Sequence, residues 1–291
     1  MNKEKIVANF GKGFYEKVIN DITKYSELWK LSCFEPIENY NRNCLFKCVS
    51  NKYGLCVLKI GDDEKLAEDE CRVLREYNDR RFCKLYEADT ANGVLLIERI
   101  VPGTPLNDEP DLDNRIDIFC GLLHGLHIKP TDEENYTSYI TLVNNMTEFM
   151  STHKGYEELY AKILNAQEIC RYLYEKYPEK ILLHNDLSHQ NILLSNDDGN
   201  DYRIIDPDGA VIGVVVFDVS GFIYREFFNG NADKMLYITN EISMKLNISA
   251  RDIWCAEYVK ECINVCYSIS DGGEPNMIII LLAEKMMDEL I

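Results

Sequence analysis

The chain changes its periodicity at Pro102-Gly103. Before that dipeptide, apolar residues come in short runs of strand length, separated by Asn, Gly and Asp. After it, they recur at helical spacing over long stretches. Such a segregation of strands from helices points to an α+β fold, with a bilobal plan of unequal halves. The spacing predicts a helix over 13–29, with Phe14, Val18, Ile22 and Leu28 on one side. It then predicts strands over 30–37, 44–50 and 55–60, with Asn39–Asn43 and Lys52-Tyr-Gly54 as the turns between them. A charged helix over 62–78 follows, then strands over 82–88 and 93–99. Beyond the dipeptide, helices are expected at 112–127, 134–150, 155–177, 232–245, 250–269 and 276–290. Two short strands, 191–195 and 202–206, lie among them and are joined by Asn196–Asp201. The expectation is a small antiparallel-sheet N-lobe, residues 1–98, that binds nucleotide. A larger helical C-lobe, residues 99–291, would carry the catalytic loop and the substrate site.

Charge narrows the range of partners. Asp and Glu number 49 against 31 Lys and Arg, a formal charge of -18. That excess repels nucleic acid and anionic membranes and attracts cationic ligands, so neither nucleic acid nor membrane is an expected partner. The longest purely apolar run, Met277–Ala283, is too short to cross a bilayer, and no signal peptide opens the chain. The 11 cysteines form no C-x-x-C pair, which suggests free thiols and a cytoplasmic protein. Cys262 and Cys266, one helical turn apart, read as core packing.

Between two apolar runs stands a polar knot, His184-Asn-Asp186-Leu-Ser-His-Gln-Asn191. No Gly or Pro marks it as a plain turn. Asp206 follows Asp186 by 20 residues, again an acid at the end of an apolar strand. Two carboxylates and an amide delivered by strand ends suit Mg²⁺, which takes one or two carboxylates plus phosphate oxygens. Upstream, Lys59 lies within the apolar run Val57–Ile60 and needs an anionic partner if buried. On the following helix Leu66, Val73, Leu74 and Tyr77 mark the inner face, and Glu70 falls on it. Glu64 and Glu68 are less well placed. A structural ion pair is the alternative reading of Lys59 and Glu70.

Lysine on a third strand, glutamate on the next helix, H-x-D-x-x-x-x-N and a later Asp follow the order of parts in bilobal phosphoryl-transferring kinases. Leu183-His-Asn-Asp-Leu-Ser-His-Gln-Asn-Ile-Leu193 resembles the HGDLxxxNIL loop of the aminoglycoside phosphotransferase family. Val94–Leu106 resembles that family's connector, LLxERxxPGxxL. Ile205-Asp-Pro-Asp-Gly209 with Phe217-Asp218-Val-Ser is most similar to the IDPKG...YDVA segment of the aminoglycoside 6-phosphotransferase branch, that of streptomycin kinases and hydroxyurea resistance. Departures are Asp208 for the Lys of IDPKG, Gly213-Val-Val-Val-Phe-Asp218 for GDPxYD, His189 for a common proline, and no glycine in Asn39–Asn43.

The resemblance implies an antibiotic-resistance kinase that transfers phosphate from ATP or GTP to a hydroxyl of an aminoglycoside or other aminated small molecule. Lys59, held by Glu70, would contact the α- and β-phosphates. Asn191 and Asp206 would bind Mg²⁺, and Asp186 would act as base or orienter beside the acceptor. Backbone groups from Glu98 through Ile100 to Val101 would read the nucleobase edge. His184 and Asp218 would brace the loops, and His127 would pack and hydrogen-bond in preference to binding metal with His124. Asp252, Glu257, Glu261, Asp271, Glu274, Asp288 and Glu289 are carboxylates in the region where such families seat substrates. Choline-, sugar- or methylthioribose-type kinases, or a nucleotide-binding pseudokinase, remain open alternatives.

Overall fold

The computed structural model describes residues 1–38, 42–196 and 201–290. The expected turn at Asn39–Asn43 and connection at Asn196–Asp201 therefore fall partly outside the described residues. In chain order the elements begin α1 Lys3–Phe10, α2 Lys12–Leu28, β1 Leu31–Ile37, β2 Asn43–Ser50, β3 Gly54–Gly61, α3 Glu64–Tyr77, β4 Leu85–Asp89, β5 Val94–Glu98 and β6 Pro102–Pro105. Next come α4 Leu112–Leu123, α5 Tyr139–Ser151, α6 Glu157–Lys176, β7 Ile181–Leu183, β8 Ile192–Ser195, β9 Asp201–Ile204 and β10 Val211–Gly213. The chain closes with α7 Val216–Glu226, α8 Met235–Leu246, α9 Ala250–Ser270 and α10 Ile278–Glu289. The chain packs as two compact units, Met1–Pro105 with Ile192–Gly209, and Leu106–Asn191 with Ala210–Ile291.

The first unit is built on an antiparallel sheet of order β1-β2-β3-β5-β4. Strand alternation sorts its side chains between two faces. Cys56, Leu58 and Ile60 of β3 join Cys44, Phe46, Val94 and Leu96 in a core closed by Ile6, Phe14, Val18 and Tyr25 of α1 and α2. Lys59, between Leu58 and Ile60, therefore points to the other face, where α3 lies. A second small sheet, β6-β8-β9, completes the unit. Its hairpin is stitched to the turn after α3. The amide of Cys83 donates to the Ile204 carbonyl at 2.9 Å, and that of Ile204 to the Arg81 carbonyl at 2.8 Å. Arg81 Nη1 also grips Asp201 at 2.8 and 2.9 Å.

The second unit is helical around α9, which is buried on almost every side. The short antiparallel pair β7–β10 sets Leu183 against Val211 and delivers the chain into the polar knot. Some expected helices begin or end elsewhere, for local reasons. The helix expected from 134 starts at Tyr139, because Ser138 caps it by accepting the Thr141 amide at 3.1 Å. The helix expected to 127 stops at Leu123, ahead of Gly125 at φ 73. Helices α1 and α7 were not expected at all. All eleven cysteines are free thiols, and all but Cys33 are buried.

At the end of β3, Gly61 donates to the Gly93 carbonyl at 2.8 Å. Gly93 has φ 66, and a Cβ there would lie 2.7 Å from the Gly61 carbonyl oxygen. Gly93→Ala should thus destabilise the protein by about 1–3 kcal/mol, since neither the dihedral nor the backbone contact can relax cheaply. Urea unfolding of the two proteins checks this, and an unchanged midpoint would refute it.

Candidate active site

In the first unit, Lys59 is 6% exposed and Glu70 is 1% exposed. Their charged atoms, Nζ and Oε2, are 2.6 Å apart. The amphipathic face of α3 aims Glu70 inward, as its helical spacing implies, whereas Glu68 stays exposed. Lys59 Nζ also donates to Asp206 Oδ1. Asp206 reaches it because the pairing of β9 with residues 81–83 carries the following segment to this face. Its own φ is 62, a left-handed conformation that Asp tolerates better than most residues. Burial alone would lower the Lys59 ammonium, but the Glu70 and Asp206 carboxylates overcome it and hold it raised. Glu70 is pushed up to about 7, by burial first, with Lys59 pulling against it and Asp206 adding to it. Its second oxygen, Oε1, is buried without a partner. One cation between two carboxylates leaves the cluster short of positive charge. The Asp206 side chain is 45% exposed, so its carboxylate bridges the buried ammonium and the surface.

The segment after β5 behaves differently along its length. The Glu98 amide donates to the Lys84 carbonyl at 2.8 Å, and its carboxylate takes the Lys84 amide at 3.1 Å. The Val101 carbonyl accepts from Asn196 at 2.8 Å. Among the described residues, the N–H and carbonyl of Ile100 have no hydrogen-bond partner in the protein. The Ile100 carbonyl is kept close to Gly103, where a Cβ would stand 2.8 Å away. Glu98 is thus a brace at the strand end, and Ile100 offers the open donor and acceptor.

In the second unit, the polar knot is a loop held at its start by a buried anion. Asp218 accepts the amides of His184 at 3.0 Å and Asn185 at 2.8 Å. His127 Nε2 meets the same carboxylate at 2.8 Å, which gives His127 a bracing role. Burial works to raise Asp218, but the His127 bond and the amide donors keep it below its usual range. Asn185 stands at φ 71, its side chain taking the Tyr139 hydroxyl and its carbonyl the Lys260 ammonium. The Asp186 amide donates to His184 Nδ1 at 3.2 Å, so that nitrogen carries no proton. Asn191 Nδ2 donates to the Asp186 carbonyl at 2.8 Å and to its carboxylate at 3.2 Å. That commits the amide nitrogen and leaves Oδ1 as the atom Asn191 can offer a cation.

Two carboxylates on α9 complete the picture. Glu257 is 1% exposed, and neither of its oxygens has a hydrogen-bond partner. Ser220 faces it from α7 but donates to the Phe217 carbonyl at 2.9 Å. Glu261, one turn along, accepts from Asn264 at 2.7 Å. Burial, with the charge of Glu261, pushes the Glu257 carboxyl up to about 8. Asp252 is removed from the group of substrate-facing acids. It is buried and occupied by Tyr172, Tyr177 and Lys176 at 3.0, 2.8 and 2.6 Å. Sequence reasoning also missed Arg115, His189 and Glu226, which form a buried network in this unit. The signals available were the helical spacing of Glu226 from Asp218 and Phe222, and a histidine at 189 where the family commonly has proline.

Among the described residues, no group of three or more His, Cys, Asp or Glu side chains gathers in a metal-holding arrangement. Mg²⁺ does not require one, since phosphate and water fill most of its coordination sphere. Within the first unit the exposed Asp206 carboxylate, and within the second the Asn191 amide oxygen, are each hard donors of the kind Mg²⁺ takes. No described helix is long and apolar enough to cross a membrane.

The aminoglycoside/hydroxyurea antibiotic resistance kinase family model matches residues 41–238, about two thirds of the chain. No curated protein matches by sequence. Among solved structures, choline kinase LicA from Streptococcus pneumoniae is 17% identical at TM-score 0.68, covering 94% of this chain and 99% of that one. Plasmodium vivax ethanolamine kinase is 16% identical at TM-score 0.64, covering 94% and 84%. Aminoglycoside phosphotransferase APH(4)-Ia is 16% identical at TM-score 0.63, covering 94% and 98%. A thermostable mutant of the last was solved in ternary complex with ADP and hygromycin B. At these identities the likeness to the solved structures is one of fold, the α+β fold of kinases.

Glu257 makes stability depend on pH. Its folded pKa lies above the unfolded value of 4.5, so its contribution is full below pH 4.5 and is lost as pH rises through about 8. Glu257→Gln should therefore lose less stability than wild type between pH 5.5 and 8.5, measured by urea unfolding at about those two values. Equal losses would show that Glu257 is not the titrating group.

Proposed function

We propose, for a chain that belongs to the aminoglycoside/hydroxyurea antibiotic resistance kinase family and is a small-molecule kinase, that the acceptor is a hydroxyl on a compound with a cationic nitrogen. The observation that carries the acceptor class is Glu257. A buried carboxylate so poorly supplied with donors holds a proton, and a cation brought beside it would displace that proton. Lys260, which lies close, is bound to the Asn185 carbonyl. The formal charge of -18 adds a long-range attraction for such ligands.

The donor is ATP or GTP in this reading. Lys59 contacts the α- and β-phosphates, and Glu70 keeps its ammonium charged and aimed. The free N–H and carbonyl of Ile100 read the nucleobase edge, with Glu98 fixing the end of the strand that leads to it. Asn191 and Asp206 would be the residues to hold Mg²⁺, which when bound would supply positive charge to neutralise the phosphate tail. Asp186 orients the acceptor hydroxyl and takes its proton as the acceptor oxygen bonds to the γ-phosphorus and the bridging β–γ P–O bond breaks, with the nucleoside diphosphate leaving. Phosphoryl transfer passes through a loose transition state, so positioning and charge neutralisation supply most of the rate.

Two outcomes test the assignment. Asp186→Ala should lower kcat by about two orders of magnitude or more, with nucleotide affinity little changed, because Asp186 serves the acceptor and not the phosphate tail. Near wild-type transfer by that variant would overturn the role. For the acceptor, phosphate transfer would be measured across aminoglycosides, choline, neutral sugars and nucleosides at low and high salt. Amines should be preferred, with KM rising as salt screens the attraction. Preference for a neutral acceptor without salt dependence would refute the cationic class and leave the kinase intact.

A further inference from the structure

The loop that carries Asp186 is tied at both ends to one helix. Its start is fixed by Asp218, near the beginning of α7, through the amides of His184 and Asn185. Its middle lies against Gly221, where a Cβ would sit 3.3 Å from the Leu187 carbonyl oxygen. Its end is fixed by His189, which is fully buried, with its ring 4.4 Å from that of Phe222. His189 Nε2 lies 2.7 Å from Glu226 Oε1. Residues 218, 222 and 226 are four apart and run along one side of α7. With a rise of 1.5 Å per residue, the two anchors stand about 12 Å apart along the helix.

Glu226 is itself held firmly. Arg115 of α4 donates to it through Nε at 2.6 Å and Nη2 at 3.0 Å, and Asn231 adds a further donor. Arg115 Nη1 also donates to the Glu109 carbonyl at 2.6 Å. Because Nε2 of His189 faces a carboxylate, it carries the proton. Nδ1 is buried without a partner, so it is the bare nitrogen. Simple packing does not call for this residue. An aliphatic side chain would fill the space beside Phe222 without leaving a buried nitrogen unsatisfied. The imidazole is tolerated for the bond it makes to Glu226.

We infer that Glu226, acting through His189, is a positioning residue for phosphoryl transfer: it fixes the His189-Gln190-Asn191 turn and so aims the amide oxygen of Asn191. The inference rests on the kinase reading above. The turn is closed within the loop by two backbone bonds, Ser188 to the Asp186 carbonyl at 2.8 Å and Asn191 to the Ser188 carbonyl at 3.0 Å. Asn191 is held at its nitrogen by Asp186 and at its backbone by this turn, whose far end is anchored by His189. Releasing His189 frees that end of the turn and leaves the Asn191 amide oxygen aimed only by the bonds of its nitrogen to Asp186.

The test compares His189→Leu, which removes the donor, with His189→Gln, whose side-chain amide can reach Glu226 in the manner of Nε2–H. Turnover is measured against Mg²⁺ and against acceptor, alongside the thermal midpoint and amide hydrogen exchange of the loop. His189→Leu should lower kcat about 10- to 100-fold and raise the Mg²⁺ requirement, as loss of support for a metal ligand does. Acceptor KM should stay within about twofold of wild type, because Asp218 still fixes the start of the loop. His189→Gln should restore most of the loss. A purely structural role would lower the midpoint and leave the metal dependence of the folded enzyme unchanged. Wild-type kcat and metal dependence in His189→Leu would overturn the inference. Should that variant not fold, Glu226→Asp keeps the charge and shortens the anchor. It should show the same metal-dependent loss, and wild-type behaviour would be the contrary result. If wild type phosphorylates no acceptor, the kinase reading falls, and exchange at Ser188 and Asn191 decides the tether alone. Faster exchange in His189→Leu supports it, and equal exchange refutes it.

Discussion

A lysine ammonium cannot be buried on one face of a sheet unless an anion meets it, and much of the first unit answers that requirement at Lys59. Removing the charge from water costs several kcal/mol, so the partner must be close and firmly held. Glu70 supplies one carboxylate only because α3 lays its apolar face on the sheet. Asp206 supplies the other only because the β8–β9 hairpin is pinned to residues 81–83. The packing of α3, the pairing of β9 and the Arg81–Asp201 ion pair thus converge on a single nitrogen.

The second unit solves the opposite problem, a buried anion. Asp218 has backbone amides and a histidine around it, and the donors that stabilise its charge belong to the loop it must hold. The loop gains its shape from the solvation of a carboxylate by peptide groups, with no glycine needed in it. Glu226 repeats the arrangement two turns later with side-chain donors. Its carboxyl is held down near 2, against the effect of burial, by His189 and Arg115.

The sheet strands and the long helices are legible in the sequence because each buries a regular stripe. Phe14 and Val18 on α2, and Val73, Leu74 and Tyr77 on α3, show the period directly. The Lys59–Glu70 pair was legible for the same reason, since both positions lie on faces that local spacing identifies. The partnership of Lys59 with Asp206 was not, because it depends on strand pairing between segments about 120 residues apart. Helix α7 was hidden by Val211-Ile212 and Val214-Val-Val216, β-branched residues on either side of Gly213 that favour strand, and by Ser220 and Gly221, which favour helix weakly. Tertiary burial of Phe217, Val219, Phe222 and Ile223 overrides those preferences. Helix α1 is too short to show a clear stripe. It depends on the Asn2 cap and on one fully buried residue, Ile6.

A helix that touches one loop at four successive levels also restricts how the gene can change. Loops absorb inserted and deleted residues at little cost. Between Asp218 and Glu226, one residue gained or lost would turn everything beyond it by about 100° and shift it by about 1.5 Å. Glu226 would then point away from His189 while Asp218 still held its amides. Length variation among natural variants of this chain should therefore collect in the connections outside α7. The nine-residue interval from 218 to 226 should keep its length even where its residues differ.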